Sequence, residues 1–91
     1  MAKAPSIVKH SVTDYDKWRV VYEEVQPLRD KYGVTGADVL TDRGAKNEVT
    51  VLHWFPSVDQ AEGFAGDPAL KDAMARAGVA GPPRIEIVVE A

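Results

Sequence analysis

The segment Glu48–Leu70, EVTVLHWFPSVDQAEGFAGDPAL, runs from a dense apolar strand straight into a capped helix. In the strand, alternation puts Val49, Val51, His53 and Phe55 on one side and Thr50, Leu52 and Trp54 on the other. A strand with one wet face alternates apolar and polar residues. This one is apolar on nearly both sides, so both faces of its sheet need cover. Ser57 then caps a helix, with Gln60 completing a capping box, and Val58, Ala61, Phe64 and Ala65 form its apolar side. Asp67 and Pro68 restart the helix as cap and first helical residue, and Leu70, Ala73, Met74 and Ala77 extend the stripe to Gly78.

Upstream, Ser6–Val12 reads as a short strand and Thr13 as the cap of a helix, with Asp16 in the capping-box position. Trp18, Val21, Tyr22, Val25, Leu28 and Tyr32 follow at helical spacing on one face. Pro27 removes a backbone donor and predicts a kink near Glu23–Gln26; Gly33 ends the helix as a left-handed cap. Val34–Leu40 reads as a weaker strand and Thr41–Asn47 as a hairpin loop. Downstream, Val79–Pro83 reads as a stiff loop and Arg84–Glu90 as a last strand. The order βαββαβ predicts one α+β domain over residues 1–91. Its expected fold is ferredoxin-like: an antiparallel four-stranded sheet in the order 4-1-3-2 with the helices on one face. The other face, with Leu52 and Trp54, is expected to be covered by a second copy in a homodimer.

Composition narrows the function. A chain of 91 residues buries a limited core and gains from association. Net charge is −3 with no basic run, which argues against a nucleic-acid partner. Cysteine is absent, which removes disulfides, thiol nucleophiles and thiolate metal sites. No apolar run approaches the ~20 residues of a membrane span, and Met1–Ser6 lacks the apolar core of a secretory leader. No membrane association and a cytoplasmic location are therefore expected. Nothing matches a phosphate loop, a dinucleotide fingerprint or a nucleophile elbow.

Two segments resemble a known family. His10–Trp18, HSVTDYDKW, resembles the pattern His-x-Val-x-Asp-aromatic-x-x-Trp of small dimeric α+β barrel proteins. FPSVDQAEGFAGDPAL resembles the Trp-x-Ser … Ser-Pro-x-Phe helix entry of the antibiotic-biosynthesis-monooxygenase-like group. Together with the element order, the resemblance covers nearly the whole chain. It implies a dimeric barrel with a pocket between sheet and helices. Relatives include cofactor-independent quinone-forming monooxygenases, polyketide cyclases and haem-degrading enzymes. Phe55 replaces the Trp of many relatives, and Phe64 stands where several, haem degraders among them, have a histidine. Haem is therefore not expected; no carboxylate–His spacing suggests a metal site, and no other cofactor is expected.

The candidate site residues follow. His10, late in the first strand, is the candidate proton shuttle, with Glu86 as a neighbour that could pair with it across the last strand. Tyr22 is the second catalytic candidate, since a buried hydroxyl needs a partner. Trp18, Phe64 and Met74 could wall a pocket for an aromatic ligand, although core packing explains the same spacing. His53, among apolar neighbours, could be a satisfied core residue, and strand spacing separates it from His10 by ~10 Å. Asn47 and Arg84 could hold a substrate oxygen. Two functions stay open: a cofactor-independent monooxygenase or cyclase acting on a small aromatic or polyketide-like molecule, and a non-catalytic dimeric module that binds a small hydrophobic ligand or simply associates. A cavity of roughly 300 Å³ or more with His10 in its wall favours the first; a filled interior, with Trp18 and Phe64 packed on the sheet, favours the second.

Overall fold

The structure, a computed structural model, describes residues 4–91. Its elements are β1 (Ala4–Val12), α1 (Tyr15–Glu24), α2 (Gln26–Lys31), β2 (Gly36–Asp42), β3 (Ala45–Phe55), α3 (Val58–Ala65), α4 (Pro68–Arg76) and β4 (Val79–Ile87). The strands form one sheet in the order β2-β3-β1-β4, every neighbouring pair antiparallel. This is the expected ferredoxin-like α+β topology, with the helices on one face.

Register decides which side chains meet the helices. Ser6 pairs with His53, Val8 with Val51 and His10 with Val49. The alternation therefore sends Ala4, Ser6, Val8, His10 and Val12 inward together with Val49, Val51, His53 and Phe55, and all nine are buried. Ile7, Leu52 and Trp54, on the opposite face, are only half-buried. Two apolar clusters fill the inner side. One joins Val8, Val12, Val49 and Val51 to Trp18 and Ala77; the other joins Phe55 to Ala61, Phe64 and Leu70. Met74 packs against both and bridges them.

The local signals act largely as read. Ser57 Oγ accepts from Gln60 N and Asp67 Oδ1 from Ala69 N, at 3.3 and 2.8 Å. Asp67 also accepts from the Tyr32 hydroxyl at 2.6 Å, which ties the end of α2 to the start of α4. Gly33 has φ +73° and Gly78 +77°, conformations only glycine adopts freely. The break anticipated from Pro27 falls at Val25, the cap shared by α1 and α2.

β1 starts at Ala4 rather than Ser6, and three other boundaries differ from expectation. Asp14, not Thr13, caps α1: its Oδ1 accepts from Asp16 N and Lys17 N, and a carboxylate is the stronger acceptor at a helix N-terminus. The second strand starts at Gly36 and runs to Asp42, because the hairpin tightens around Arg43 and Gly44 and both arms lengthen. The third concerns Val79–Pro83, which is strand rather than loop, while the last strand stops at Ile87 instead of Glu90. β4 is an edge strand, where a proline without an N–H is tolerated on the unpaired side. The ladder to β1 slips between Lys9–Arg84 and Ser11–Ala80, so Gly81–Pro83 bulges opposite His10.

Candidate functional site

The apolar space between the sheet and the helices holds a cavity of about 50 Å³ at the seam of the two clusters. His10, Tyr22, Arg29, His53, Phe64 and Met74 all line it, within a wall otherwise made of Val, Leu and Ala side chains. β1 and β3 deliver the two histidines because both lie on the inward phase of their strands. They stand four residues apart along the strand direction, roughly 13 Å at ~3.3 Å per residue. The expectation of separation holds for direct contact, yet both border one cavity.

Between them runs a set of packed rings. The His10 and Trp18 centroids lie 5.6 Å apart, Trp18 and Tyr22 stack at 5.0 Å, and Tyr22 lies parallel to His53 at 6.0 Å. Phe64 meets His53 edge-on at 5.2 Å. The Tyr22 hydroxyl finds the partner its burial demands: it lies 3.1 Å from His53 Nε2, with donor and acceptor set by the imidazole tautomer. Trp18, 4% exposed, packs behind His10 and Tyr22 as a core residue instead of forming the cavity wall.

The electrostatics keep the imidazoles neutral. Burial pushes His53 down to about 4, with the nearby Arg29 charge acting in the same direction. Burial also lowers the His10 pKa, opposed by the Glu48 carboxylate. Neither ring nitrogen of His10 has a hydrogen-bond partner among the described residues. Burial raises the Tyr22 pKa, and Arg29 opposes that shift.

Arg29 is the functional candidate that sequence reading passed over. It is 2% exposed, and its guanidinium carbon lies 3.9 Å from the Tyr22 ring centroid. Its Nε and Nη2 both donate to Gln26 Oε1, at 3.3 and 3.1 Å. Among the described residues no carboxylate lies within ion-pair distance of it. One signal was available. Trp18, Tyr22, Val25 and Arg29 follow at spacings of 4, 3 and 4, which places the arginine on the same helical stripe as the rings.

Two candidates fall outside the cavity. Asn47 sits at the start of α1, where Oδ1 accepts from Tyr15 N at 3.0 Å; it organises the helix entry. Arg84 pairs with Lys9 in the ladder, faces the opposite side of the sheet and bonds Glu86 Oε1 at 2.6 Å. Glu86 pairs with Ile7, so it shares that outer face and does not meet His10. Even-numbered residues of β4 pair with odd-numbered residues of β1, so Glu86 lies on the face opposite His10. Among the described residues no group of three or more His, Cys, Asp or Glu could hold a metal, and no helix is long and apolar enough to cross a membrane.

Comparison with protein-family models and with curated protein sequences finds no match. Solved structures match along the whole chain. A Bordetella bronchiseptica protein that carries the provisional name antibiotic biosynthesis monooxygenase superposes with TM-score 0.83 at 14% identity, covering 100% of this chain and 99% of its own. SnoaB, a cofactor-independent oxygenase from Streptomyces nogalater, gives TM-score 0.74 at 10% identity, covering 100% and 93%. NE2512, a Nitrosomonas europaea protein of unknown function, gives 0.76 at 19%, covering 99% and 90%. The chain thus shares the fold of antibiotic-biosynthesis-monooxygenase-like proteins, the group its sequence resembles. At these identities the likeness concerns fold, and chemistry must be argued from the site.

Proposed function

We propose that the protein is a cofactor-independent oxygenase acting on a small hydrophobic, aromatic or polyketide-like molecule with an acidified CH₂ group. One observation carries this reading: a buried, neutral His10, neither nitrogen engaged, borders the same apolar cavity as the Tyr22–His53 pair. Such an imidazole is a general base with its lone pair available. His10 takes one proton from the CH₂, leaving a carbanion delocalised into the substrate's carbonyl or phenol. The carbanion passes one electron to dioxygen, the two radicals combine, and His10 returns its proton to the resulting peroxide. Loss of water, with the second hydrogen of the CH₂, leaves a carbonyl, so that R₂CH₂ and O₂ give R₂C=O and H₂O. Tyr22, held by His53, supplies a hydroxyl for the substrate oxygen. Phe64 and Met74 orient the body of the substrate and exclude water.

The cavity of about 50 Å³ suits dioxygen and the reacting edge of a substrate, not a whole polyketide. The remainder of the molecule lies in the mouth formed by the half-buried Val21, Val25 and Met74. The same small volume, with Trp18 and Phe64 packed on the sheet, favours the second reading, a non-catalytic ligand-binding or association module. Oxygen uptake over a panel of anthrone-like phenols separates the two. The enzyme reading expects uptake that falls at least about 100-fold in His10→Asn. Ligand binding without uptake, unchanged by that substitution, supports the module.

The working form in this proposal is a homodimer. The outer sheet face exposes Ile7, Leu52 and Trp54 in part and Leu40 by 49%, and an isologous sheet-to-sheet contact would bury them. Sedimentation should show the wild type at twice the chain mass and Leu52→Glu at the chain mass, still folded by circular dichroism. A wild type that is monomeric at tens of micromolar would end the dimer proposal.

A further inference from the structure

We propose that Arg29 makes the cavity a receptor for a carboxylate, so that the molecule this site takes is a small apolar acid held by a two-pronged contact to the guanidinium. The inference rests on reading the cavity as the substrate site, and it adds the substrate's charge to that reading.

A guanidinium offers five N–H donors in a fixed plane. In Arg29 the edge formed by Nε and Nη2 is spent on a single acceptor, Gln26 Oε1. The end formed by Nη1 and the second N–H of Nη2 has no acceptor among the described residues, although the residue is 2% exposed and borders the cavity. Two parallel N–H groups at that end match the two oxygens of a carboxylate. A buried cation without a counter-ion is costly, and a Met or Leu would pack on Tyr22 with less penalty. The Tyr22 face offsets part of that cost through its quadrupole, and an incoming anion would offset the rest.

The surroundings select among anions. The cavity is otherwise apolar and holds one cation and two histidines that burial keeps neutral. A dianionic phosphate would enter with one charge unmatched and without the backbone N–H cradle that phosphates use. A monoanion balances Arg29 with nothing left over. A cavity of about 50 Å³ exceeds the ~10–15 Å³ that a single water requires on the same measure, which leaves room for the two oxygens of a carboxylate head. The hydrocarbon part of the acid then leaves through the apolar mouth.

The test is calorimetric titration of the full chain with benzoate and with benzamide, its neutral isostere. Wild type should bind benzoate at least about tenfold more tightly than benzamide. Arg29→Met should abolish that preference while keeping the weaker benzamide affinity. Gln26 is exposed, so Gln26→Glu provides a second test whether or not Arg29→Met folds. It sets a carboxylate against the guanidinium, and benzoate affinity should fall about tenfold with benzamide unaffected. Equal affinity for the two probes, no binding of either, an unchanged preference in Gln26→Glu, or displacement of benzoate by equimolar inorganic phosphate would each overturn the assignment. A benzoate preference without oxygen uptake on any substrate removes the oxygenase reading and leaves the acid site standing. Uptake that needs His10 but treats acids and their amides alike does the reverse.

Discussion

Phe55→Ala is expected to lower the unfolding free energy by about 3–5 kcal/mol. Phe55 is 1% exposed and is among the largest fully buried side chains. Its ring packs on Phe64 at 5.5 Å and meets His53 edge-on at 6.2 Å, so truncation opens a void that three elements would have to close. The surrounding residues sit on a paired central strand and on α3 and α4, so closing the void requires a shift of whole elements. A domain of this size has roughly 5–14 kcal/mol of stability in total. The loss should therefore appear as a drop of about 15–30 °C in Tm. Val20→Ala, at a residue 60% exposed on α1, is the control and should change stability by less than about 0.5 kcal/mol. Urea unfolding of both variants checks the pair. A Phe55→Ala loss no larger than that of the control would mean that the second cluster is not the packed core described.

Acid should destabilise the protein through His53 before the carboxylates titrate. The imidazole has a folded pKa of about 4, against 6.5 for an unburied one. Above pH 6.5 it is neutral in both states, and its contribution to stability is fully present. Between 6.5 and 4 the unfolded chain takes up a proton that the folded chain refuses, so stability falls as pH falls. Below the folded value both forms are protonated and the loss levels off. At 1.36 kcal/mol per unit the full loss is about 3 kcal/mol. His10, also lowered by burial, adds in the same direction. Urea midpoints between pH 7 and 4.5 should decline in the wild type and decline less steeply in His53→Gln, which keeps a partner for Tyr22 but does not titrate. Parallel slopes in the two proteins would show that His53 is not the group that resists protonation.

Much of the fold was legible in local chemistry. The caps at Ser57 and Asp67, the break produced by Pro27 and the left-handed Gly33 all act within a few residues of themselves, and so a linear chain displays them. The phase of β3 was legible too, since alternation alone says that Val49, Val51, His53 and Phe55 share a side. Asp14 prevailed over Thr13 at the first cap because two adjacent acceptors compete for the same orphan N–H groups. Val79–Pro83 misled because two prolines suggest a loop, whereas an unpaired strand edge tolerates them.

The site divides along the same line. His10, Tyr22, His53, Phe64 and Met74 were identifiable as inward-facing residues of amphipathic elements, and they meet at one cavity. Arg29 was hidden by its charge, which reads as solvent-facing until the Tyr22 ring and Gln26 are seen around it. Arg84 and Glu86 had the right chemistry on the wrong face, because they pair with Lys9 and Ile7, the β1 residues whose side chains point away from the helices. Element order, caps and strand phase were thus determined by the sequence alone, since each depends on neighbours in the chain. Register at the sheet edge, the burial of a lone guanidinium and the joining of two distant histidines at one apolar seam were decided only by tertiary structure, since each depends on residues that meet through space.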